Sequence, residues 1–193
     1  MEQNFWQKNK TLVIVLVVVL ILVFWIVGKY NYFVNQNEAI TGQWAQVENQ
    51  LQRRFDLIPN VINTVKGITK QEKEVFLQLA EARTRYAGAT TTDQKATAAG
   101  QVESSLGRLL VIVENYPELK SSQSFRDLTV ELEGAENRIS VERMKYNDLV
   151  KSLNASVKRF PNSILASIFG VAERSYFEIT DGAGSVPRVD FSQ

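Results

Sequence analysis

The sequence predicts an all-α membrane protein: a single N-terminal transmembrane helix followed by an up-and-down antiparallel helical bundle with long heptad-patterned helices. Three observations lead there. Leu12 to Val27 is uninterrupted apolar, LVIVLVVVLILVFWIV. From Tyr30 to Tyr86, alternating steps of three and four residues land on Tyr30, Phe33, Asn37, Ile40, Trp44, Val47, Leu51, Arg54, Ile58, Val61, Val65, Ile68, Glu72, Val75, Leu79, Ala82 and Tyr86. The same alternation joins Phe125, Leu128, Leu132, Ala135, Ile139, Glu142, Tyr146, Leu149, Leu153, Ser156 and Phe160. Sustained heptads lay a stripe along one side of a helix and call for a partner helix. No stretch alternates long enough to build a sheet.

The anchor comes first. Its sixteen apolar residues fall slightly short of the ~20 that cross hydrocarbon, but Thr11 and Gly28 extend the run and the flanking Lys8, Lys10 and Lys29 can snorkel. A cleaved signal peptide would need a small-x-small site, which Val27-Gly-Lys-Tyr-Asn31 lacks. Two lysines and the amino terminus precede the span and only Lys29 follows closely, a bias that places the N-terminus in the cytoplasm and the bundle outside it. Tyr30 and Tyr32, with Trp6 and Trp25 near the edges, suit an interfacial aromatic belt. The lipid bilayer is therefore the first expected partner. The chain reads as tail and anchor over 1–29, bundle over 30–174 and an irregular C-terminal tail over 175–193.

The long seam keeps phase through Pro59, where a proline inside a helix costs about 3 kcal/mol or more unless a kink is wanted. Pro59 is thus a candidate hinge: it either kinks one long helix or reverses the chain. Gly88 is placed to end the seam in a left-handed cap. Thr91 with Gln94 matches a capping box for the next helix. That helix runs to about Asn115 on a stripe of Ala99, Val102, Leu106, Leu109 and Val113, and Tyr116-Pro117 stops it. Serines in Ser121-Ser-Gln-Ser124 can cap the second long helix, which Lys158, Arg159 and Pro161 close. Asn162 or Ser163 can cap a short helix, Ile164 to Phe169, closed by Gly170. Asp181-Gly-Ala-Gly-Ser185 and Pro187 argue for the irregular tail. At 1.5 Å per residue, an unbroken helix from Tyr30 to Tyr86 would reach about 85 Å, against about 33 Å and 55 Å for the next two. Either those two lie end to end along the first, or the first bends back to give four shorter helices.

Chemistry is narrowed by what the chain lacks. It has 22 basic and 21 acidic side chains, so no strong field marks nucleic acid as a partner. Cysteine and histidine are absent, which excludes disulfides, Cys/His zinc sites, thiol nucleophiles and a Ser-His-Asp triad. Glu133 and Glu136 share a helix face, but carboxylate di-metal sites in bundles use Glu-x-x-His, and the interleaved Arg138, Arg143 and Lys145 point to a salt-bridged face. No P-loop, dinucleotide fingerprint or nucleophile elbow occurs. We therefore expect no catalytic residue, no metal, no cofactor and no small-molecule substrate. Arg53 and Arg54 can be read as an anion or partner clamp. The alternative is structural: Arg54 falls on the first seam and Glu142 on the second, so an Arg54–Glu142 pair would set helix register.

Several blocks together resemble the LemA family. They are Tyr30-Asn31, Trp44, Gln50-Leu-Gln-Arg-Arg-Phe-Asp-Leu-Ile-Pro-Asn60, Thr64-Val-Lys-Gly67, Glu81-Ala-Arg83, Val113-Glu-Asn-Tyr-Pro-Glu-Leu-Lys120, Leu132-Glu-Gly-Ala-Glu-Asn-Arg-Ile139, Arg143, Tyr146-Asn147, Phe160-Pro161, Phe169-Gly170, Tyr176-Phe177 and Val189-Asp-Phe191. Thr41-Gly-Gln43 and Gly134-Ala135 depart from the usual pattern without disturbing the seam. The resemblance implies a bacterial, single-pass inner-membrane protein with a four-helix, bromodomain-like bundle, and it brings no catalytic residue. It also implies partners among membrane proteins, zinc proteases included, and for one relative a link to shaping magnetosome membranes. The expected function is a non-enzymatic scaffold for assembly with itself, as a homo-oligomer, or with other membrane proteins. The alternatives are an oligomeric membrane-organising protein and an accessory subunit of a membrane protease.

Overall fold

The computed structural model describes residues 3–65 and 73–178. Among them are six α-helices and no strand: α1 (Gln3–Thr64), α2 (Lys73–Gly88), α3 (Thr92–Val113), α4 (Pro117–Lys120), α5 (Gln123–Lys158) and α6 (Asn162–Ile168). The fold is all-α, as the sequence predicts. Helix α1 carries the apolar run and the first seam in one piece, with Pro59 inside it. Pro59 sits on the exposed side, and the carbonyl that loses its helical donor is that of Phe55, one turn earlier. The chain therefore does not reverse at Pro59. It has reversed by α2, because Phe55 and Tyr86 stack with ring centroids 4.3 Å apart, whereas one straight helix would separate them by roughly 46 Å.

The chain forms two compact units. The first takes α1 up to Gly42 and Leu149–Arg174. Every residue from Leu12 to Val27 is exposed. Beyond that run, Phe33 and Ile40 of α1 are buried, as are Val150 and Leu153 of α5 and Leu165 and Ala166 of α6. On α5 Val150 is buried where the seam named Leu149, while Leu153 keeps its seam position. Phe160, the last predicted seam position, is exposed. Phe169 packs edge-on to Tyr30 at 5.2 Å and lies 6.4 Å from Phe33. Helix α6 has Pro161 at its N-cap and no side-chain cap, so neither Asn162 nor Ser163 plays that role. It closes on Gly170, the one described glycine with positive φ (69°). The Val171 N–H donates to Ala166 O (2.8 Å) and the Gly170 N–H to Ser167 O (3.3 Å), which is a Schellman closure.

The second unit takes Gln43–Asp148 and the segment from Ser175 onward. Its core is Val47, Leu51, Phe55, Ile58, Val61 and Val65 of α1, Leu79 and Ala82 of α2, Val102, Leu106, Leu109 and Val113 of α3, and Phe125 to Tyr146 of α5 along the predicted stripe. Each large apolar side chain so buried contributes roughly 1.5–3 kcal/mol. Opposed side chains fix the directions. On α2 and α3, Arg85 meets Gln101 and Gln78 meets Arg108; Lys95 of α3 pairs with Glu48 of α1; Gln43 of α1 meets Glu142 of α5. Neighbouring helices α1, α2, α3 and α5 thus alternate up and down. Gly88 ends α2 without the left-handed conformation expected of it. The capping box forms as read: the Gln94 N–H donates to Thr91 Oγ1 (3.2 Å), and Gln94 Oε1 accepts from the Thr91 N–H (3.3 Å). Ser122 supplies the α5 cap, accepting from the Phe125 N–H at 3.3 Å. The seam positions Ile68 and Glu72, and the tail from 179 with Val189 and Phe191, lie outside the described residues.

Candidate functional site: a buried charge cluster and a clamped strap

Arg54 is buried within the second unit, as its seam position predicts. Its guanidinium Nη1 donates to Glu136 Oε2 at 2.6 Å. The expected partner was Glu142; Glu142 instead accepts from Gln43 Nε2 (2.6 Å) and Lys145 Nζ (2.8 Å). These two bonds, Lys145 first, hold the Glu142 carboxyl below its ordinary range. Arg53, the other half of the pair, is exposed, so the two arginines do not form one clamp.

Two further charges gather around Arg54. Glu103 on α3 is half-buried, and burial, reinforced by the Glu136 charge, raises its pKa above 4.5 while Arg54 and Arg143 pull the other way. Arg143 on α5 has its pKa lowered, chiefly by burial and also by Arg54, against the opposing pull of Glu103 and Glu136. Two guanidiniums and two carboxylates therefore sit within electrostatic reach with no net charge. The Nε atoms of both arginines are buried without an acceptor, an expense of about 1–3 kcal/mol each. The rest of the Arg143 guanidinium lies over the Phe177 ring, 4.7 Å from its centroid, which recovers part of that cost as a cation–π contact.

Phe177 belongs to an extended strap with no periodic pattern, yet it is 2% exposed. Trp44 covers it at 5.7 Å and meets Tyr146 at 5.4 Å. Asn147 grips the strap through both ends of its amide: Oδ1 accepts from the Phe177 N–H (2.8 Å) and Nδ2 donates to Phe177 O (3.1 Å). The Tyr146 hydroxyl adds a bond to Ser175 O at 3.1 Å. In the first unit Asn154 repeats the device on Arg174, at 2.9 Å in both directions. Glu103 and Asn154 were given no role from sequence; Arg143 stood on the expected salt-bridged face, and Arg143, Asn147 and Phe177 stood in the blocks that carry the family resemblance, with no contact assigned to them. The available signal was two asparagines seven residues apart beside an otherwise apolar stripe.

The family model described as LemA family matches residues 43–191. The chain belongs to the LemA family. Of the blocks that carry the resemblance, several meet in this cluster: Trp44, Arg54, Glu136, Arg143, Tyr146-Asn147 and Phe177. Among relatives of this LemA-family chain are magnetosome protein MamQ 1 and MamQ 2 of Paramagnetospirillum magneticum, each 24% identical over 185 residues, covering 82% of this chain and 68% of the relative. Protein LemA of Metamycoplasma hominis is 21% identical over 165 residues, covering 85% of this chain and 74% of its own length. Chemically, the cluster joins α1 to α5 through the Arg54–Glu136 pair and joins α5 to the strap through Arg143 and Phe177. Among the described residues, one helix, at the N-terminal end, is long and apolar enough to cross a membrane.

Proposed function

We propose that this chain is a non-enzymatic, single-pass protein of the bacterial inner membrane, its bundle outside the cytoplasm, that serves as an assembly scaffold for copies of itself or for other membrane proteins. The observation that carries this reading is the exposed Leu12–Val27 run, built into the same helix that supplies the core of the bundle. An apolar surface of that length is stable in lipid and costly in water, and the same helix continues from it into the bundle. The charge cluster serves to hold the helices in place. The test is crosslinking in native membranes at natural expression, followed by purification of the full chain. A stoichiometric adduct with itself or with another membrane protein is expected; a lone monomer under conditions that capture known complexes would remove the scaffold reading. A second reading, an oligomer that organises or remodels membrane, is favoured by the relatives named for the magnetosome. It predicts altered membrane morphology when the chain is overproduced.

A further inference from the structure

We propose that α6 and the turn before it form an apolar lip lying in the interfacial layer of the bilayer, beside the span. The proposal rests on the reading of Leu12–Val27 as membrane-spanning and concerns the first unit alone. Tyr30 stands three residues past Val27, about 4.5 Å along the helix, within the headgroup layer of roughly 5–7 Å on either side of the hydrocarbon. Phe169, at the end of α6, packs on Tyr30 at 5.2 Å. Helix α5 approaches the same level from the other direction. Near Asn154 its neighbours are Arg174 and, through the Arg174 guanidinium, Asn37; at Ser156 the contact is the Tyr32 hydroxyl, at 3.2 Å. The contacts descend α1 toward the apolar run, and Phe160 follows Ser156 by four residues, in the turn after α5.

At that level the chain exposes large apolar side chains: Phe160 is 81%, Ile164 54% and Ile168 70% exposed. Ile164 and Ile168, four residues apart, share a face of α6, while Leu165 and Ala166 turn into the unit at 8% and 0%. Lys29 and Arg159 supply positive charge at the same height, suited to lipid phosphates. The span itself supplies the need. Sixteen residues reach about 24 Å, short of the ~30 Å hydrocarbon, and apolar surface added at one end relieves such a mismatch. A lipid surface, rather than a protein, is the occupant because the lip continues the apolar surface of the span.

The absence of cysteine permits a direct test on the full chain reconstituted in vesicles of phosphatidylethanolamine and phosphatidylglycerol. Single replacements Ile164→Cys and Ile168→Cys, with Leu16→Cys and the exposed Leu77→Cys as references, would each carry an environment-sensitive fluorophore. Lipids bearing a quencher near the headgroup or deep in the acyl chain then report depth. The expected result is a blue shift at 164 and 168 with loss of fluorescence to the shallow quencher, loss at 16 to the deep quencher, and neither at 77. Quenching at 16 without quenching at 164 and 168 would overturn the lip and leave the span intact. A blue shift at 164 and 168 without lipid quenching would mean that a second copy or another protein covers them, and would also overturn it. No quenching at 16 would remove the membrane reading, and the lip with it.

Discussion

The two units attach an extended segment to α5 with the same side chain, but they surround it with different chemistry. In the first, Asn154 holds the Arg174 backbone in a unit built on neutral contacts, the Tyr32–Ser156 bond and the rings of Phe33 and Phe169, and the charges near the clamp, the Arg174 guanidinium on Asn37 and the Lys158–Glu173 pair, are exposed. In the second, Asn147 holds the Phe177 backbone beside Arg143, with Glu103, Glu136 and Arg54 within reach. Neutral hydrogen bonds and packed rings are indifferent to pH and tolerant of small shifts. A set of four half-desolvated charges is neither, since each member depends on the others being present. One unit is therefore held mainly by shape and the other by shape together with matched charge.

The largest test of that contrast removes one charge. Arg54→Met should destabilise the second unit by about 3–5 kcal/mol, because it leaves carboxylates without their buried cation, whereas Arg54→Met with Glu136→Leu should lose distinctly less. Denaturant unfolding of the four members of the cycle measures the coupling, and additive losses would show that the 2.6 Å bond has no energetic role. Next come the two clamps. Asn147→Ala and Asn154→Ala each delete two backbone hydrogen bonds, so each should cost about 1–3 kcal/mol. Hydrogen exchange should show faster opening at Phe177 in one variant and at Arg174 in the other; only the Asn147 effect should vary with pH. The smallest effect belongs to Glu103. Its folded-state pKa is raised, so the ionised form costs stability, and that cost is absent below 4.5 and grows as pH rises through the folded value. Glu103→Gln should therefore stabilise at neutral pH by under about 1 kcal/mol, a gain that vanishes in acid. Glu142 runs the opposite way: its lowered pKa gives stability present above the ordinary carboxylate value and lost as pH falls through the folded one. Thermal melts of both glutamine variants across pH 3–8 would give difference curves of opposite sign.

Much of this was legible in heptads. Stepping by three and four found Phe33, Ile40, Val47, Leu51, Ile58, Val61, Leu79, Leu132 and Ile139, all buried, because periodicity reports which side of a helix is apolar. It does not report where a helix ends, so a seam kept in phase past Val65 concealed the end of α1 at Thr64, and Pro59 attracted the suspicion. Arg54 was placed correctly on the seam but matched to Glu142. Heptad arithmetic pairs residues at one level, while a long guanidinium reaches diagonally to Glu136. Phe55, at 2% exposure, escaped because it stands beside the seam and not on it. The strap was illegible for a different reason: an extended segment held by asparagine amides buries Phe177 with no period to reveal it.

The spacing of the charges on α5 also bears on misalignment during folding. Slide α5 along α1 by seven residues and the apolar stripe scarcely objects: Ile139 takes the place of Leu132, Leu132 that of Phe125, Ala135 that of Leu128. The charges object in both directions. One slip brings Arg143 to the place of Glu136 and sets guanidinium against guanidinium, a repulsion of about 4 kcal/mol at 4 Å and an effective dielectric of 20; the other brings Thr129 there and takes away the carboxylate that accepts from Arg54. Arg54, Glu136 and Arg143 thus make one alignment out of several that greasy heptads alone would leave nearly equal.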